Sequence, residues 1–87
     1  MGYGIVYCNS QTMKDDDASR FENVCKPLTD VVIDVYNNDM LLGSETNLLY
    51  LVKVNESIGM GRVDISSLYF KNATPGKNGR VTILGID

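Results

Sequence analysis

Histidine is absent from these 87 residues, and so is tryptophan. Losing histidine removes the commonest general base and metal ligand together, which excludes His-dependent triads and zinc sites. Cysteine is scarce too. Cys8 and Cys25 are the only two, they are not spaced as C-x-x-C, and two thiols without histidine are too few for a zinc centre. The longest uninterrupted apolar run, Leu48 to Val52, falls far short of the roughly 20 residues of a membrane helix. The opening Met1-Gly2-Tyr3-Gly4 has neither the basic region nor the long apolar segment of a signal peptide. The expected location is therefore cytoplasmic, or extracellular if Cys8 and Cys25 are bridged.

What is present is globular: 44% of the residues are hydrophobic and 22% charged, unlike the signature of disorder. A single compact domain over residues 1–87 is expected. The net charge of −3 is unevenly spread. Residues 1–43 hold seven acids against three bases, whereas residues 44–87 hold five bases against four acids. That balance argues against direct nucleic-acid binding, which needs clustered Lys and Arg. A charged partner would have to be a protein with a basic surface.

Tyr3 to Cys8 alternates as a strand. Phe21, Val24, Cys25 and Leu28 then recur at helical spacing, with Asp15 to Asp17 in what would be the first turn and Pro27 beyond the end. Asp30 to Tyr36 reads as a strand with Val31, Ile33 and Val35 on its apolar face. Leu48 to Val54 is apolar on both faces, which predicts a buried central strand. Gly59-Met60-Gly61 breaks the chain, and Arg62 to Phe70 and Arg80 to Ile86 are the remaining strands. The expected fold is α+β, mainly β: an antiparallel sheet of about five strands, with one short helix between the first and second, because the later segments are joined by turns too short for parallel crossovers.

Few motifs carry chemistry. Asp15-Asp16-Asp17 fails as a calcium loop, because Arg20 and Lys26 stand where glycine and glutamate are required. The glycine-flanked segments before Arg62 and Arg80 lead into strands, not into the helix N-termini that phosphate loops use. Asn55-Glu56-Ser57 and Asn72-Ala73-Thr74 match the glycosylation pattern. Tyr36, next to Asn37, Asn38 and Asp39 on the less apolar face of its strand, is an aromatic suited to recognition.

These readings predict a protein without metal, cofactor or catalysis. The expected function is protein binding through an acidic face formed by Asp15, Asp16, Asp17 and Glu22, with Tyr36 as a further contact. Small inhibitors and accessory proteins of viruses and mobile genetic elements have this character. Two alternatives stand beside it: an assembly subunit that oligomerises through the edges of its first or last strand, and a secreted effector stapled by a Cys8–Cys25 disulfide.

Overall fold

A computed structural model describes residues 4–14, 17–22 and 26–87. The chain is mainly β, with 61% of the described residues in strands. Among the described residues seven strands run in the order β1 (Val6–Met13), β2 (Pro27–Tyr36), β3 (Met40–Gly43), β4 (Leu48–Val52), β5 (Ser57–Asp64), β6 (Tyr69–Asn72) and β7 (Gly79–Ile86), with one turn of 3-10 helix at Ile65–Ser67. They form two antiparallel sheets, one ordered β1-β7-β2-β5 and the other β4-β3-β6. The expected single sheet is thus two. Among the described residues there is no helix between β1 and β2.

The core lies between the sheets. Leu28, Val31, Ile33 and Val35 of β2, Val81 and Ile83 of β7, Met40 and Leu42 of β3 and Phe70 of β6 are all buried. The alternation expected for Val31, Ile33 and Val35 holds. It slips by one residue between Thr29 and Val32, where the pairing with β7 is bulged and Asp30 takes a left-handed φ of 52°. That extra residue lets Leu28 face inward as well.

Several expectations fail for identifiable reasons. The helical spacing of Phe21 and Leu28 arises because two unrelated elements each send one residue into the core, Phe21 from a loop and Leu28 from β2. Ser19 in that loop pairs with Phe70 through two backbone hydrogen bonds of 2.8 and 2.7 Å, which holds the segment extended. Val24 and Cys25 lie outside the described residues.

The first strand extends through the polar residues Asn9 to Thr12, which pair with β7 along their whole length. Gln11 explains part of that polarity: its side chain donates to Arg20 O and accepts from Glu22 N, both at 3.0 Å. The stretch expected as one strand from Arg62 to Phe70 is divided by the 3-10 turn, capped by Asp64, whose carboxylate accepts from Ser66 N. Gly59-Met60-Gly61 does not break the chain but lies within β5, an edge strand where missing side chains leave no hole.

The largest correction concerns Leu48 to Val52. It is an edge strand, not a central one, and the centre of its sheet is β3, which alternation of four residues was too short to reveal. Conversely, the last strand is interior, between β1 and β2.

Candidate contact surface

The two sides of the sandwich are closed differently. On one side lie the edges β1 and β6, and there the loop from Asp17 to Glu22 seals the gap. Phe21 is fully buried and meets Phe70 edge-on, with ring centroids 5.5 Å apart. Arg20 Nη1 donates to Ser66 O at 3.2 Å. The side chain of Asn72, only 3% exposed, ties the strand ends together: its Nδ2 donates to Met13 O and its Oδ1 accepts from Gly79 N, each at 2.7 Å. Asn38, also buried, donates to Thr74 O at 3.0 Å and Lys77 O at 2.8 Å. Gly79 is required there, because a Cβ would stand 2.5 Å from Met40 Cε and 2.9 Å from Asn72 Oδ1.

The other side is open. β4 and β5 are the edges of their sheets, and among the described residues no backbone pairing joins them. Only the turn between them spans the gap. It is anchored by Asn55 N to Val35 O and Val54 N to Asp39 Oδ1, both 2.8 Å. A shallow cleft lined by Tyr50, Leu51, Val52, Glu56, Ser57 and Ile58 follows.

Along β4, Leu49 is 84% exposed, Tyr50 59% and Leu51 47%, and only Val52 is buried. A bulge between Leu42 and Gly43 of β3 accounts for Leu49, which has no partner opposite it. Gly43 permits the tight approach, since a Cβ there would collide with Asn47 O. No charged side chain interrupts the strand. Soluble proteins normally blunt such an edge with lysine, proline or short length.

A second uncovered apolar area lies on the outer face of the four-stranded sheet, where Val6, Val32, Leu84 and Ile86 stand on adjacent strands. Its backbone differs from that of β4, because β7 and β2 are hydrogen-bonded on both sides.

The acidic face expected from the sequence is only partly within view. Asp15 and Asp16 lie outside the described residues, while Asp17 and Glu22 are exposed. Tyr36 is 40% exposed on the outer face of the four-stranded sheet, opposite Arg80, in a shallow cleft with Asn37 and Thr82. Arg80 is itself opposite Thr12 of β1, and its Nε donates to Ser10 Oγ at 2.7 Å. Tyr36 and Glu22 therefore belong to the same end of that sheet but are separated by a cation, so no continuous negative surface joins them.

Cys8 is exposed on β1 and free, and Cys25 lies outside the described residues. Asn72 is buried, which removes it as a glycan acceptor in the folded chain. Among the described residues no group of three or more acidic or cysteine side chains could hold a metal ion, and no helix is long and apolar enough to cross a membrane.

Among the described residues two ionisable groups are shifted, both at the periphery. Lys26 is raised by its hydrogen bond to Asp87 at 2.9 Å, and its Nζ lies 4.7 Å from the Tyr7 ring centroid. Tyr69 is raised because its hydroxyl donates to Glu45 Oε2 at 2.9 Å, a bond that favours the neutral phenol.

No family model matches this chain, and comparison with curated proteins and with solved structures finds no match either.

Proposed function

We propose that this chain is a non-enzymatic protein-binding module that works by strand addition at the open edge of β4. The observation that carries the reading is the exposure of Leu49, Tyr50 and Leu51 on an uncharged edge strand. The unpaired N–H and C=O groups of an edge supply a ready backbone template, and its side chains supply selectivity.

The magnitudes agree with a contact surface of moderate strength. Fully burying a large apolar side chain is worth roughly 1.5–3 kcal/mol, so covering these three in proportion to their exposure contributes about 4 kcal/mol. The partner's own apolar groups and several backbone hydrogen bonds of about 1 kcal/mol each add to this. Association costs at least about 4 kcal/mol, which leaves reversible binding, not permanent assembly.

Selection of short displayed peptides against the immobilised chain tests the reading. Sequences able to extend as strands with apolar or aromatic residues should be enriched, and a Leu49→Lys, Leu51→Lys variant should not retain them. Equal retention by the variant would refute β4 as the contact.

The exposed Asp17 and Glu22 support a second reading, in which the acidic segment draws a basic partner, as an inhibitor or accessory protein would. Such an effect falls on the association rate and fades as salt screens it.

A further inference from the structure

Asn78 is the one asparagine of this chain that a glycine follows. In such a dipeptide the glycine nitrogen can attack the asparagine side chain, because no Cβ crowds the approach and the backbone turns freely. The bond from Gly79 N to Asn78 Cγ forms and the Cγ–Nδ2 bond breaks, so that the side-chain nitrogen leaves as ammonia with the proton given up by Gly79 N. Water then opens the resulting succinimide at either carbonyl, leaving aspartate or isoaspartate. Water is the only co-reactant. Asn78 is exposed in the connection between β6 and β7, so water reaches it.

By exposure alone the site is open to reaction. The backbone around it is not. Each peptide unit flanking Asn78 is gripped by a buried amide: Lys77 O accepts from Asn38 Nδ2 at 2.8 Å, and Gly79 N donates to Asn72 Oδ1 at 2.7 Å. Asn38 also donates to Thr74 O, and Asn72 to Met13 O, so the two amides are themselves held. Together the two grips fix both backbone dihedrals of Asn78. Cyclisation requires Gly79 N to swing toward Cγ and to lose its proton. The swing is blocked because Gly79 is paired with Met13 and has so little room that a Cβ would stand 2.5 Å from Met40 Cε. Proton loss is disfavoured because a buried nitrogen anion is poorly solvated and the neutral N–H is already hydrogen-bonded.

We propose that Asn78–Gly79 is a spontaneous deamidation site, which the buried amides of Asn38 and Asn72 hold inactive in the folded chain and which opening of the closed side releases. The product does not refit the site. Isoaspartate routes the main chain through the former side chain and adds an atom between the two grips, so Gly79 N no longer meets Asn72 Oδ1 while Lys77 O meets Asn38. A chain modified while open thus carries a lasting mark and recloses less stably.

Peptide mass spectrometry of the chain incubated in mildly alkaline buffer, with and without urea, reads the conversion of amide to acid at Asn78. Conversion should be more than about tenfold slower in the folded chain, because it proceeds only from opened states. Amide hydrogen exchange at Gly79 supplies a second measure, since both reactions need its N–H released from Asn72. As urea rises below the melt, the two rates should climb in parallel. Asn72→Ala should speed conversion in native buffer, and by more than Ile33→Ala, which loosens the core in β2 without touching the loop. Circular dichroism establishes that both variants are folded. Should Asn72→Ala fail to fold, the two wild-type rates decide alone.

Conversion in the folded wild type less than tenfold slower than in urea overturns the proposal. So does conversion that stays flat while Gly79 exchange rises. A folded Asn72→Ala that reacts no faster than Ile33→Ala also overturns it, because global unfolding is then the only gate.

Discussion

Replacing Asn72 with alanine tests whether the closed side of the sandwich is held by its buried amides. Asn72 is 3% exposed, and its side chain satisfies Gly79 N and Met13 O at 2.7 Å each while receiving a longer contact from Asn38 at 3.4 Å. Truncation leaves a buried N–H and a buried C=O without that partner, each costing about 1–3 kcal/mol. A total loss of about 3–4 kcal/mol is expected, against a stability of roughly 4–13 kcal/mol for a chain of this length. Urea melts followed by circular dichroism measure it. With a slope of about 1 kcal/mol/M, the midpoint should fall by about 3 M.

Asn72→Asp separates hydrogen bonding from packing. The carboxylate keeps an acceptor for Gly79 N but turns an oxygen toward Met13 O, so the variant should be least stable at neutral pH. Burial raises the folded-state pKa of that carboxyl. Its contribution is therefore present in acid, where the protonated group can donate to Met13 O, and is lost as pH rises through the raised value. A loss below about 1 kcal/mol for the alanine variant, with unchanged slope, would refute the reasoning.

Three further outcomes follow from the same structure. Leu51→Ala should cost less than about 1 kcal/mol, because Leu51 is already 47% exposed, whereas Ile33→Ala should cost about 2–5 kcal/mol; equal losses in urea melts would place β4 in the core. In an alkaline titration followed by tyrosinate absorbance, one phenol should ionise late, and Glu45→Gln should bring it back toward the others; Tyr69→Phe should remove that late step, and its persistence would assign it to another tyrosine. Alkylating reagents should modify Cys8 in the native protein, and a reductant should leave the melting temperature unchanged; a drop of several degrees would reveal a disulfide and revive the secreted reading.

Local pattern and distant pairing contributed differently to this molecule. Alternation made β2 and β7 readable, since Val31, Ile33 and Val35 in β2, and Val81 and Ile83 in β7, stand two residues apart within their strands and all face the core. The same rule misread Leu48 to Val54, of which Leu48–Val52 forms the edge strand β4. Being apolar on both faces is the pattern of a central strand, and no local feature distinguishes it from an edge awaiting a partner. Tyr36 was found as an exposed aromatic, yet its separation from Glu22 by Arg80 depends on β7 lying between β1 and β2. The polar residues Asn9 to Thr12 lack the apolar alternation of a strand, because Gln11 is there to bond Arg20 O and Glu22 N in a loop further along the chain.

The sequence by itself determined that this chain is mainly β and antiparallel, that it has a core of β-branched and aliphatic residues, and that it has no histidine chemistry. Those properties follow from composition and from periodicities within a few residues, where steric preference and hydrophobic burial act locally. Only the tertiary structure decided which strands are edges, that Phe21 plugs one side while the other stays open, and that Asn38 and Asn72 are buried. These depend on which segments pair across tens of residues, and a hydrogen-bonded ladder is chosen by the whole set of competing partners, a choice that no single segment encodes.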